Sequence, residues 1–241
     1  MQLKMVTFTG ADDRTSVKDL ERLSAETPWI EWGILSNRRA IEEGGTSLFP
    51  GLGWVDRFLD TNTDRCLHLC GNLCRKLIAG DDTFMKLFSA ERLRQFSRVQ
   101  LNFHDHDQQG LNVELFLALV DRYQLAGLKW IVPVGDENIP AVQQMKRMGL
   151  DVVVLFDDSR GAGISPQGWR APLTDVSCGY SGGLGPHNLA TELPRIRSVV
   201  PTNYPTWVDM ERRVRSGDDD TFDLSKVQAS IDHAKRFKEN R

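Results

Sequence analysis

The chain contains no apolar run that approaches the roughly 18 residues of a membrane span, and no hydrophobic stretch follows Met1-Gln2-Leu3-Lys4 as a secretion signal requires. A cytoplasmic protein with no membrane partner is therefore the expectation. An excess of positive charge is also missing. The formal net charge of −3 and isoelectric point near 6.0 give no electrostatic footprint for nucleic acid. Cysteine is sparse: Cys66, Cys70, Cys74 and Cys178 are all there is. Cys66 and Cys70 fall in an apparent strand and Cys74 lies beyond Gly71-Asn72. The three therefore share no helical face and match no structural zinc spacing, so reduced, mostly buried thiols are expected. Repeats, low-complexity segments and linkers are absent too, which leaves one domain over residues 1–241.

What is present alternates. Strand patterns over residues 4–9, 29–35, 65–70, 98–103, 129–134, 151–156, 176–180 and 206–210 are separated, for the most part, by helical patterns. The clearest helices cover residues 16–26, 112–125 and 223–238. Alternation of this kind argues for a parallel sheet with crossover helices. Eight strands in 241 residues, 40% of them hydrophobic, fit a single (β/α)8 TIM barrel. Two connections stand out. Residues 36–53 form a long polar, glycine-rich stretch, a candidate active-site loop. Residues 164–172 carry two prolines and Trp169 where a sixth helix belongs, so a short turn is expected there. The six tryptophans are most simply core or helix–barrel packing.

Residues 181–188, Ser-Gly-Gly-Leu-Gly-Pro-His-Asn, lie between a strand and a helix. Glycines let backbone N–H groups approach a ligand, and the N-terminus of a helix attracts anions. Pro186 suits a first helical turn. The segment reads as a phosphate seat or as a tight βα turn with no ligand.

The order and spacing of these elements resemble phosphoribosylanthranilate isomerase, a (β/α) barrel of tryptophan synthesis. That family has Ala-Gly-Gly-Leu-Asn-Pro-Glu-Asn where this chain has residues 181–188. Its eighth strand runs Val-Asp-Val-Ser-Ser-Gly-Val-Glu, against Val208-Asp209-Met210-Glu211-Arg212-Arg213-Val214-Arg215. Val99-Gln100-Leu101-Asn102 is similar to its Val-Gln-Leu-His, and Thr9-Gly10 lies where the family has Cys-Gly.

In such barrels chemistry sits where strands end. Asp157 closes the apolar run Val152-Val153-Val154-Leu155-Phe156. A rim carboxylate can be raised in pKa and serve as acid or base, and the resemblance implies the general acid at this position. Its alternatives are a loop-anchoring role, or Asp158 as the acid. The family's cysteine base is replaced by Thr9. A hydroxyl without an activating neighbour is a poor base, so Thr9 is assigned to substrate contact and ordinary phosphoribosylanthranilate isomerisation is expected to be absent or very weak. Asp12 or Asp13 could reach inwards instead.

Gly182 and Gly183 would hold an anion, with Arg212 and Arg213 as a clamp in place of Ser-Ser-Gly. The same arginines could instead fill the site, and Glu211 would repel phosphate unless neutralised. Arg38 and Arg39 follow the second strand, where the family places a carboxylate-binding arginine. His68 and Cys70 share one face of strand three, and Asn102 and His104 share one of strand four. His68 or His104 could supply the missing base, since histidine titrates near neutrality.

The leading reading is an isomerase or lyase that handles a small sugar phosphate or related anion by acid–base catalysis. Asp157, His68 and His104 would be its catalytic groups, with no cofactor, in a monomer or homodimer. The alternatives are a non-catalytic relative that binds a ligand or partner, and a metal-dependent hydrolase built on His68, His104 and His106. No metal-ligand motif supports the last, and fold alone does not choose among the three.

Overall fold

β-Branched and aliphatic residues dominate the strands, and the strands pair strictly side by side in chain order. They are β1 (Gln2–Thr9), β2 (Ile30–Ser36), β3 (Arg65–Cys70), β4 (Arg98–Asn102), β5 (Lys129–Pro133), β6 (Val152–Phe156), β7 (Cys178–Tyr180) and β8 (Pro205–Met210). All neighbours are parallel and β8 returns to β1, with Val6 opposite Val208 and Phe8 opposite Met210, so the sheet closes as a barrel. This is the predicted (β/α)8 architecture. The computed structural model describes residues 1–103, 112–135, 138–157 and 163–239.

The helices outside are α1 (Val17–Glu26), α2 (Arg38–Glu43), α3 (Leu52–Leu59), α4 (Gly71–Ile78), α5 (Thr83–Phe88), α6 (Ala90–Leu93), α7 (Val113–Arg122), α8 (Ile139–Arg147), α9 (Leu189–Val199) and α10 (Leu224–Glu239). Several begin on side-chain caps that satisfy otherwise orphaned N–H groups. Ser16 accepts from Asp19 N, Asn37 from Ala40 N, and Asn112 from Leu115 N. Among the described residues no helix is long and apolar enough to cross a membrane.

Two packed layers result. Outward strand residues such as Phe8, Trp32, Leu67, Val99 and Trp130 meet the helices in the main core. Inside the barrel a smaller cluster joins Cys66, Ile131, Val153, Leu155 and Trp207. Gly179 is required there: a Cβ would sit 2.2 Å from Trp207 Cε2.

The interior is otherwise polar. Wholly buried Glu31 accepts from Arg98 Nε at 2.8 Å, from Arg98 Nη2, and from Thr7 Oγ1 at 2.9 Å. The guanidinium also lies 4.6 Å from the centroid of the Trp207 ring. A buried charge pair is tolerable when its remaining polar atoms are bonded, and here they are.

The structure agrees with the sequence reading at one connection, where no sixth helix is expected, and departs from it at two. Between β6 and β7 the described residues contain no helix. Their extended course is tied down by Trp169 Nε1 to Glu192 Oε2 (2.8 Å), Tyr180 OH to the Arg170 carbonyl (2.8 Å) and Arg195 Nη2 to the Gln167 carbonyl (2.9 Å). Next, α9 begins at Leu189, so Pro186 stands in the preceding turn, and the helix continues past Pro194. After β8 a 3-10 turn (Arg212–Val214) leads into a hairpin of β9 (Arg215–Ser216) and β10 (Thr221–Phe222) before α10.

Asp12, Asp13, Asp219 and Asp220 belong to a clasp at that hairpin. Arg14 Nη2 and Arg215 Nη2 donate to Asp12 Oδ2 at 2.8 and 3.1 Å, and Arg215 Nε donates to Asp220 Oδ1 at 2.9 Å. Leu48 N also bonds Asp12, and Gly51 N bonds Asp13, which fixes the loop after α2. These donors hold Asp12 down to about 2 against the opposing effect of burial, so it stays ionised and does not reach into the barrel.

Candidate active site

A cavity of about 530 Å3 opens at the C-terminal ends of the strands, where barrels of this class carry their chemistry. Leu48 and Phe49, from the clasped loop, supply an apolar wall. Its polar lining divides by depth. Gln100 and Asp209 are buried at the floor, whereas Asp157, Glu211, Arg212 and Arg213 come from the strand ends and the turns beyond.

Of the residues singled out in the sequence, Asp157, Gly182, Gly183, Arg212 and Arg213 line this one cavity. Asp157 Oδ1 lies 3.6 Å from where a Cβ on Gly182 would stand. Gly182 and Gly183 have φ of +110° and +62°, a region that favours glycine. A Cβ on Gly183 would also fall 2.5 Å from Ser165 N, so the segment after β6 packs directly on it. Asn188 ties this loop together, donating to the Gly183 carbonyl at 3.0 Å and to Ser165 Oγ at 3.2 Å while accepting from Gly185 N at 3.0 Å. The glycines therefore have a packing reason as well as a place on the cavity wall.

Cys70, Asn102 and Glu211 line it too, whereas Arg38, Arg39, Thr9 and His68 lie elsewhere. Arg38 is exposed on α2, bonded to Glu42 at 2.8 Å, and does not line the cavity; Arg39 pairs with Glu43 in the same way. Thr9 is fully buried, its hydroxyl donating to Asp209 Oδ1 at 2.8 Å. His68 is 1% exposed and sits behind the floor, with Nε2 4.0 Å from Asp209 Oδ2 and no hydrogen-bond partner. His104, His106 and Asp158 lie outside the described residues. Among the described residues no three His, Cys, Asp or Glu side chains are grouped to hold a metal ion.

Burial sets the electrostatics. It pushes Asp209 up to about 8, helped by the charges of Glu211 and Glu31 and opposed by the Thr9 hydroxyl and Arg98. Glu211 is raised to about 7, again chiefly by burial; Asp157 adds to the rise, while Arg212 and Arg215 counter it. His68 is lowered to about 3 by burial and by Arg98, so it is neutral. Cys70 lines the cavity but is pushed up to about 12 by burial, although Asn102 Nδ2 donates to its sulfur at 3.1 Å. A neutral thiol of this kind is a poor nucleophile and base.

Asp209 had no assigned role in the sequence reading. The available signal was alternation: Trp207, Asp209 and Glu211 project to one face of β8, and a carboxylate between two interior positions is unusual.

Fold and site together define a TIM-barrel protein whose polar cavity is at the strands' C-terminal mouth. No family model and no curated protein sequence matches the chain. Among solved structures it is similar to N-(5'-phosphoribosyl)anthranilate isomerase from Pyrococcus furiosus, with a TM-score of 0.58 over 96% of this chain and 98% of that one. Identity is 13%, so the likeness is one of fold.

Proposed function

We propose that this protein is an acid–base enzyme, an isomerase or lyase acting on a small anionic metabolite such as a sugar phosphate. Asp157 and Glu211 are its proton-transferring pair, and Arg212 and Arg213 hold the anionic group. The observation that carries this reading is two carboxyl groups facing one cavity, with Glu211 poised at about 7 and raised in part by Asp157. A group with a pKa near ambient pH is present in both forms and serves best in proton transfer. Moving a proton between neighbouring atoms takes one carboxyl to accept it and another to deliver one.

Thr9 supports a departure from the isomerase whose fold this chain shares, because its hydroxyl is committed to Asp209. The arginines support a different anion site. Guanidinium groups bind phosphate or carboxylate bidentately, and Arg213 packs so closely on Gly185 that a Cβ there would fall 2.3 Å from it.

Calorimetric titration with inorganic phosphate and ribose 5-phosphate tests the anion seat, in the wild type and in Arg212→Met/Arg213→Met. Binding lost in the double variant is expected; no binding by either probe would count against the seat. Turnover of phosphoribosylanthranilate is expected to be absent or very weak. A non-catalytic binding protein is the second reading, favoured by the packing of Ser165 onto Gly183. Ligand binding in the wild type that is wholly indifferent to Glu211→Gln and Asp157→Asn, with no turnover, would select it.

A further inference from the structure

Asp209 is 7% exposed yet lines the cavity, so one of its oxygens can meet a ligand at the floor. Oδ1 is fixed by the Thr9 hydroxyl, and Oδ2 faces His68 Nε2 across 4.0 Å with no hydrogen bond between them. Gly33 makes this arrangement possible. A Cβ there would fall 2.0 Å from Thr9 Oγ1 and 3.0 Å from His68 Nε2.

The charges around Asp209 can be counted element by element. From β1 comes Thr9, neutral; from β2, Glu31; from β3, His68 and the thiol of Cys66; from β4, Arg98; and from β8 itself, Glu211. Arg98 is the one full cation in this set, and it is already bonded to Glu31 and Thr7 and stacked on Trp207. Among the described residues no lysine or arginine forms an ion pair with Asp209. A carboxylate buried without a cation neutralises itself by holding its proton.

Resting on the acid–base reading of this cavity, we propose that Asp209 is an uncharged donor at its floor, positioned by Thr9, so that the innermost ligand atom is an oxygen acceptor such as a carbonyl. The ligand class follows. It is a small compound with a carbonyl or ether oxygen at one end and an anionic group at the other, the former reaching Asp209 and the latter the arginines. When Asp209 gives its proton to a carbonyl oxygen, Glu211 takes one from the adjacent carbon, the C–H electron pair becomes the C=C bond of an enol, and Asp209 is left as a carboxylate accepting from Thr9. His68 lies behind it and does not line the cavity.

Two measurements test this. Carboxyl NMR of the protein labelled with 13C-aspartate is expected to show one resonance in the acid form at pH 6.5, titrating above neutrality, and missing in Asp209→Asn. The same resonance should persist in Thr9→Val, which guards against misfolding of the Asn variant. If every aspartate is ionised at pH 6.5, the proposal is wrong, whatever the arginines do.

Calorimetry then uses dihydroxyacetone phosphate, a carbonyl joined to a phosphate, against inorganic phosphate. Asp209→Ala should weaken dihydroxyacetone phosphate about tenfold and Asp209→Asn, whose amide still donates, about threefold, with inorganic phosphate unchanged. Equal affinities for dihydroxyacetone phosphate in all three proteins would overturn the floor donor and leave the anion seat standing. If neither probe binds the wild type, the seat fails, and the NMR experiment still decides the state of Asp209.

Discussion

Replacing Glu31 by Gln should destabilise the barrel by about 3 kcal/mol, within the about 3–5 kcal/mol range seen when a buried ion pair loses one partner. Glu31 is wholly buried and Arg98 is 6% exposed, so neither charge has water to fall back on. In the variant the guanidinium keeps the Thr7 hydroxyl at 3.2 Å and the Trp207 face, and the new amide oxygen accepts one bond. Those remnants place the loss at the lower end of the range. A whole domain is stable by only about 5–15 kcal/mol, so the effect is large. Arg98→Met should cost a similar amount, because it strands the carboxylate.

The double variant Glu31→Gln/Arg98→Met should recover much of the loss, since it leaves no unpaired buried charge. Urea denaturation of the four proteins at pH 7 gives the coupling directly. If the two single losses add in the double variant to within about 0.5 kcal/mol, the pair is uncoupled and the reasoning fails. The Glu31→Gln protein carries a second signature. Glu31 helps to raise Asp209 and Arg98 works to lower it. Deleting the negative member should therefore move the Asp209 titration down towards the usual carboxylate range.

The pH dependence of stability provides a separate check on Asp209. Its folded pKa, about 8, exceeds the ordinary 3.8, so the contribution is fully present below the lower value and is lost as pH rises towards the upper one. Asp209→Asn should flatten that decline, whose ceiling is about 6 kcal/mol; parallel stability–pH curves would contradict it. Gly33→Ala should cost about 1–3 kcal/mol by overpacking and displace Thr9 and His68, seen as a lower urea midpoint and shifted imidazole resonances. An unchanged midpoint would show that the space is not needed. Arg38→Ala should leave phosphate affinity unchanged, because Arg38 points away from the cavity and its pair with Glu42 is an exposed one. A severalfold loss by calorimetry would return Arg38 to the site.

The barrel was legible in the sequence because its information is periodic. Runs such as Val152-Val153-Val154-Leu155-Phe156 are apolar on both faces, as parallel strands covered by helices must be, and Asp157 at the end of one marks the rim. The loop of Gly182 and Gly183 was legible as a turn at the mouth for the same reason. The side chains that approach from different strands were harder. Thr9 and Asp209 are 200 residues apart, and nothing local announces that one holds the other. Arg38 illustrates the converse: it sits at the right place in the chain, but the helix starting at that residue turns it outward to Glu42. Arg98 opens β4 as a charged residue, and only closure of the barrel places it beside Glu31.

The clasp of Arg14, Arg215, Asp12 and Asp220 has a consequence for the order in which this protein is built. Asp12 and Arg215 are 203 positions apart, so their contact closes almost the whole chain into a loop. Such contacts are entropically costly until other structure has brought their ends together. Neighbouring strands, joined by short connections, can associate early. The clasp must wait until β8 has found β1. The mouth is thus among the last parts to assemble, locked by a buried charge network only after the barrel beneath it has closed.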